Sequence, residues 1–330
     1  MKRHNRLLRN IAVGIGLSLL VAQDPFVLDS AGTGSITQSI ANSIQVSDIN
    51  NDGVNDIILS GYDSTRFGVF LDVMLGSSDG SLSQGYQTNF NTYPDTIAEY
   101  LGGIGGVDLA DVNRDGWMDL YLTGSALSKL YLNSSGSFNV SSNLPSMSLT
   151  YSDGKWGDVN MDGAPDLFVM GVTSSDQILN ELYINNTTSL DEDLTTIFPS
   201  LFNGNSSWGD YDNDGDPDLI ICGQTADKTA SVTRFYQNGP TGRLSELTTA
   251  DAVGGLKSGA FHFADLDADG DQDIIMSGWN KIQGKLVTWI LRNEPLGSFS
   301  LIPNQIDFAV AYGTIDAIDY NLDGFKDFVI

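Results

Sequence analysis

The chain has 330 residues, with 42 Asp and Glu against 16 Lys and Arg and a net charge of −26. Acidity of that order excludes a nucleic-acid partner, whose phosphates need a basic face. The one cysteine, Cys222, sits in an apolar run and reads as a small buried hydrophobe rather than a reactive thiol.

Residues 1–22 read as a secretory signal peptide. Lys2, Arg3, Arg6 and Arg9 precede the uncharged, mostly apolar stretch 11–22, which is too short to span a bilayer. Cleavage near Ala22 removes four basic side chains and no acidic one, so residues 23–330 would carry −30 as one extracellular or lumenal domain without a membrane span. Phe26 to Asp29 and Thr33 to Ile36 then look like an outer strand and the turn after it.

Six times the chain repeats Asp-x-Asn/Asp-x-Asp-Gly-x-x-Asp, starting at Asp48, Asp111, Asp158, Asp210, Asp265 and Asp319. Successive starts lie 63, 47, 52, 55 and 54 residues apart, the length of one supersecondary unit. Oxygens at positions 1, 3 and 5 converge when the backbone curls, Gly at position 6 permits the curl, and the position 7 carbonyl and position 9 carboxylate complete an oxygen-only shell. That set fits Ca²⁺ better than Mg²⁺ or zinc. The expected donors are Asp48, Asn50, Asp52, Val54 and Asp56; Asp111, Asn113, Asp115, Trp117 and Asp119; Asp158, Asn160, Asp162, Ala164 and Asp166; Asp210, Asp212, Asp214, Asp216 and Asp218; Asp265, Asp267, Asp269, Asp271 and Asp273; and Asp319, Asn321, Asp323, Phe325 and Asp327. About six structural Ca²⁺ ions are expected. An EF-hand needs a carboxylate at position 12, where this chain has Leu59, Leu122, Val169, Ile221, Met276 and Ile330.

Each loop is followed by a short apolar strand, which in the first five copies reads as closed by Gly, as in Asp166-Leu-Phe-Val-Met-Gly171. Further strands such as Leu130 to Asn133, Leu182 to Asn185, Arg234 to Gln237 and Trp289 to Arg292 lead into Gly turns, giving four strands per unit. Such units about fifty residues apart predict an all-β β-propeller of four-stranded antiparallel blades. Six blades are expected, the last completed by the N-terminal strands, or seven if the chain is truncated.

The phrases Trp208-Gly-Asp-Tyr-Asp-Asn-Asp-Gly-Asp-Pro-Asp-Leu219 and Trp156-Gly-Asp-Val-Asn-Met-Asp-Gly-Ala-Pro-Asp-Leu167 resemble the FG-GAP/VCBS repeat family, the integrin α-subunit type of propeller. The resemblance implies metal loops on one rim and a ligand-binding opposite rim, here holding Tyr62, Arg66, Tyr100, Tyr151, Asp176, Phe202, Lys228, Trp279, Lys281 and Tyr312. It implies a non-catalytic module for an extracellular protein or glycan ligand, with adhesion first, lectin-like binding second and a glycan-active hydrolase or lyase third. The one histidine beyond the leader, His262, reads as structural, and no nucleophile triad or phosphate loop accompanies it. Asn-x-Ser/Thr sequons at Asn133, Asn139, Asn185, Asn186 and Asn205 are candidate sugar acceptors.

Overall fold

The computed structural model describes residues 40–63, 68–85, 106–124, 127–144, 147–247, 254–294, 298–302, 315–318 and 326–329, with positions 309 and 311. Five antiparallel four-stranded sheets follow one another. They are β1–β4 (Ile40–Ser47, Asp56–Asp63, Gly68–Gly76, Leu82–Gln84), β5–β8 (Val107–Ala110, Asp119–Gly124, Leu127–Ser134, Ser137–Val140) and β9–β12 (Leu149–Gly157, Asp166–Thr173, Ile178–Asn185, Leu190–Glu192). After them come β13–β16 (Leu201–Gly209, Asp218–Thr225, Ser231–Gln237, Ser245–Glu246) and β17–β20 (Lys257–Ala264, Asp273–Asn280, Lys285–Glu294, Ser298–Ile302). Each sheet pairs its strands in chain order, and the first strands of neighbouring sheets pack side by side. The protein is a β-propeller.

The blade count corrects the expectation of six or seven. Five blades are complete, and the sixth repeat supplies only a two-stranded hairpin of β21 (Asp316–Ile318) and β22 (Asp327–Val329). Among the described residues no third strand pairs with β22, so the hairpin lacks the outer half that makes a blade. The segment from Phe26 to Ile36, expected to provide that half, lies outside the described residues.

Central strands are apolar throughout because both of their faces are buried. On β10, Leu167 and Val169 join Tyr121 and Leu130 of the second blade, while Phe168 and Met170 join Leu219, Ile221 and Tyr236 of the fourth. Side chains alternate across a strand, so one continuous hydrophobic run feeds two inter-blade cores.

Gly171, Gly223 and Gly278 do not close their strands, as the sequence suggested, since β10, β14 and β18 run on to Thr173, Thr225 and Asn280. Each instead faces a bulge in the first strand of its blade, where Tyr151, Asn203 and Ser258 take φ of 50°, 53° and 52°. A Cβ on Gly171 would meet the Ser152 Cβ at 2.8 Å, so the extra residue of the bulge occupies the space that glycine vacates.

The Trp-Gly-Asp phrase has a similar cause. Trp208 lies over Gly157 of the preceding blade and donates from Nε1 to the Lys155 carbonyl oxygen at 3.1 Å. Phe263 lies over Gly209 in the same way. Any Cβ at either glycine would fall within 2.6 Å of the neighbouring ring, so an aromatic on one blade requires glycine on the previous one.

Candidate metal centres and the opposite rim

In every antiparallel blade the first-to-second and third-to-fourth turns share one end, and the remaining connections share the other. The repeated Asp loops therefore crowd one rim. In the five described loops the position 1 carboxylate accepts from the amides of positions 5 and 6, as in Asp158, at 3.0 Å from Asp162 and 2.7 Å from Gly163. The position 5 carboxylate accepts from the amide of position 7 at 2.7–3.2 Å. Position 4 is left-handed in all five (Asn51, Arg114, Met161, Asn213 and Ala268), and the following glycines take φ of 84–98°. This curl turns the oxygens inward as the spacing requires.

Carboxylate oxygens of Asp210, Asp212 and Asp218 come within 4.8 Å of one another, as do those of Asp265, Asp267 and Asp269. In the fifth loop one buried oxygen each of Asp267 and Asp271 has no hydrogen-bond partner. Crowded, partly orphaned carboxylates are poor neighbours for each other and good ones for a hard cation, so the donor set fits Ca²⁺. Of the sixth loop, Asp319, Asn321, Asp323 and Phe325 lie outside the described residues, and Asp327 opens β22.

Position 9 has a second role that spacing did not reveal. Asp56, Asp119, Asp166, Asp218 and Asp273 are buried, each accepting through Oδ2 from the position 2 amide and through Oδ1 from an amide at the end of the third strand. Burial pushes the carboxyls of Asp119, Asp166 and Asp273 up to about 6 and that of Asp218 to about 7, against the pull of both amides and with help from the charges of their own loops.

The third-strand residue in the last four blades is always asparagine. Its side-chain nitrogen donates backward to the position 2 carbonyl oxygen of the preceding blade: Asn133 to Ile49 at 2.8 Å, Asn185 to Val112 at 2.8 Å, Asn238 to Val159 at 2.7 Å and Asn293 to Tyr211 at 2.5 Å. Two of the proposed sugar acceptors, Asn133 and Asn185, are thus buried structural donors, which corrects that reading. The recurrence of Asn 14–20 residues after position 9 was the available signal. Lateral bonds join the loops as well, from Asn51 to the Gly116 carbonyl oxygen at 3.0 Å, Arg114 to Asp162 at 2.8 Å and Asn213 to the Gly270 carbonyl oxygen at 3.2 Å.

A polar row on the innermost strands also escaped the sequence reading. Three residues before each loop stand Gln45, Asp108, Lys155, Ser207, His262 and Asp316. Gln45 donates to Asp108 at 3.2 Å, Lys155 lies 3.9 Å from Asp108, and His262 lies 3.7 Å from Asp316. Burial pushes the His262 imidazole down, consistent with a structural group. Cys222 is buried with its thiol pushed up to about 12 by desolvation, as expected of a packed sulfur.

The opposite rim is less uniform. Tyr151 meets Phe202 edge-on at 6.2 Å, and Phe202 is buried beneath Lys228, whose Nζ stands 5.8 Å from the ring centre. Phe202 is therefore packing between blades and not the exposed contact expected of it. Trp279 is 36% exposed with Lys257 above it at 6.0 Å. Lys281 donates to the Lys228 carbonyl oxygen, and Asp176 and Lys228 occupy tight left-handed turns. Tyr62 lies in β2, its backbone paired with Ile40 and Val69, whereas Arg66, Tyr100 and Tyr312 fall outside the described residues. Ile282, 90% exposed, belongs to this rim and had not been singled out.

None of the curated proteins matches the chain in sequence. Among solved structures, an Agrocybe aegerita lectin described for specific recognition of non-reducing terminal N-acetylglucosamine is similar at 15% identity and a TM-score of 0.54, over 91% of this chain and 77% of that one. AofleA from Arthrobotrys oligospora is similar at 11% identity and 0.47, over 84% and 74%. A thermostable family-43 glycoside hydrolase is similar at 9% and 0.38, over 65% and 79%. At these identities the likeness speaks to the fold alone. The FG-GAP-like repeat model matches residues 48–122, 111–169, 158–221 and 210–276, four overlapping copies spanning well over half the chain, each running from the start of one Asp loop into the strand after the next. With its repeats and blades in agreement, the protein belongs to the FG-GAP-like repeat family.

Proposed function

We propose that this protein is an exported, calcium-stapled recognition propeller that binds carbohydrate and does not cleave it. The observation that carries the reading is the division of labour between the rims. Clustered carboxylates are tied to the amides of their own loops, which suits holding a cation and leaves them poorly placed to relay protons, while the other rim presents Trp279 and Ile282 among lysines. An exposed indole beside polar groups suits sugar stacking. The lectin of similar fold lends support to a glycan over the protein ligand that an adhesion role would need. The signal-like residues 1–22 and an oxygen-only metal set support export into a calcium-rich compartment.

The test is an array of neutral, amino and acidic glycans probed with calcium-loaded and chelated protein, followed by product analysis of any glycan that binds. Binding without cleavage is expected, weakened by chelation through loss of the fold. Cleavage would overturn the non-catalytic reading, and binding of no glycan by the calcium-loaded protein would overturn carbohydrate recognition.

A further inference from the structure

Outside residues 1–22 the chain has 12 Lys and Arg, and four of them, Lys228, Lys257, Lys281 and Lys285, gather at one end of the fourth and fifth blades. Lys257, Trp279 and Leu286 occupy a single rung across β17, β18 and β19, so their side chains share a face. Lys285 pairs with Asn280 on the next rung, and Lys281 reaches from the same turn to the backbone of Lys228 on the neighbouring blade.

Four of the other cations are paired with acids. Arg114, Lys155, Arg234 and Arg292 each sit beside a carboxylate, Asp162, Asp108, Glu246 and Asp267 respectively. Among the described residues none of the four rim lysines forms a salt bridge. Among the described residues, Asp227 is turned into the Thr225 and Thr229 hydroxyls at 2.6 and 2.7 Å and lies near enough to Lys281 for that charge to help hold its carboxyl low. Among the described residues, four ammoniums gathered beside the one carboxylate of Asp227 make a local positive field on a protein of net −26, and around it stand Trp279, Leu286 and Ile282, which are 36%, 39% and 90% exposed. On a chain that repels anions nearly everywhere else, such a field steers an anion to one place.

We propose that this patch binds an acidic polysaccharide, a chain of uronate or sulfated sugars whose apolar ring faces lie on Trp279 and Leu286 and whose anionic groups meet Lys228, Lys257, Lys281 and Lys285. The inference rests on the carbohydrate reading and names its ligand class. A glycan fits better than an acidic peptide because the exposed faces of Trp279 and Leu286 stand beside the ammoniums, where the apolar face of a sugar ring can stack. The patch's cations are point charges on flexible stems drawn from separate elements, which follow charges spaced along a polymer; among the described residues no arginine fork stands with them to fix one carboxylate in a bidentate grip.

The experiment is calorimetric titration of the calcium-loaded full chain with a hyaluronan decasaccharide, its carboxyl-reduced neutral form and a poly-glutamate peptide of similar charge, at low and physiological salt. The acidic sugar alone is expected to bind, more weakly as salt rises. The Lys281→Ala/Lys285→Ala variant should lose about tenfold in affinity, near 1.4 kcal/mol, Trp279→Ala should lose a similar factor, and Lys129→Ala should lose none. Unchanged melting temperatures would exclude misfolding as the cause. Equal binding of acidic and neutral sugars, with the lysine variants unaffected, would overturn the anionic patch yet leave carbohydrate recognition standing. Tighter binding of poly-glutamate would make the partner an acidic protein, and absence of any binding by the acidic sugar would sink the inference whatever the array of neutral and amino glycans shows.

Discussion

The two ends of the same strands follow different rules. At the rim of the Asp loops every described blade repeats one set of bonds, from loop amides to position 1, from two elements to the buried position 9 carboxylate, and, in the last four, from an asparagine to the preceding blade. Among the described residues of the opposite rim the blades differ: Tyr151 packs on Phe202, Trp279 lies under Lys257 and Ile282 stands clear. Repetition marks the end that holds blades together, and variety marks the end that this constraint leaves free.

The largest expected loss comes from Asp218→Ala. It strands the buried amides of Tyr211 and Asn238, each worth about 1–3 kcal/mol when left without a partner, so denaturant unfolding in chelator should show a loss of about 4 kcal/mol. A loss below about 1 kcal/mol would show that the position 9 bracket is incidental. Calcium comes next. At a hundredfold excess over its dissociation constant each site should add about 2.7 kcal/mol, and metal counting should find at least four ions per chain, with one fewer in Asp267→Asn. A count of two or fewer under saturating calcium would detach the loop geometry from metal binding.

Asn185→Ala should cost about 2 kcal/mol by stranding the Val112 carbonyl in a blade interface, read from the same denaturation curves. Trp279→Ala, at the other rim, should stay within about 0.5 kcal/mol of the parent, and a larger loss there would blur the contrast between the ends.

A subtler effect is the pH dependence of the metal-free chain. The folded carboxyls of Asp119, Asp166, Asp218 and Asp273 lie at about 6 to 7, above the value of 3.8 for a free aspartate, so the folded chain holds more protons than the unfolded one between those limits. The stability they give is present in acid and lost as pH rises through about 6 to 7. In chelator the melting temperature should therefore rise by roughly a few degrees from pH 7 to pH 5.5, and saturating calcium should reverse the slope because protons then compete with metal. A melting temperature that falls on acidification in chelator would contradict the burial of these groups.

What the sequence disclosed follows the same division. Loop spacing announced the rim of Asp loops, and apolar runs after each loop announced the central strands, because both obey a local period. The bulge opposite Gly171 was invisible since its cause is the extra residue at Tyr151 and Ser152, some twenty positions earlier in the chain. The blade count failed for a related reason: the sixth copy carries the motif of a blade, whereas a complete blade also needs a third and fourth strand, whose pairing no motif encodes. On the opposite rim, aromatic residues alone could not separate Phe202, wedged between blades, from Trp279, which emerges, because burial there depends on what the neighbouring blade brings.

The asparagine arm also has a direction in time. Asn133, Asn185, Asn238 and Asn293 all reach back to a carbonyl made 73 to 84 residues earlier, so the acceptor has been synthesised before its donor exists. Each new blade thus emerges from the ribosome with a finished template to dock on, and the propeller is suited to assemble one blade at a time from its N-terminal side, without waiting for the whole chain.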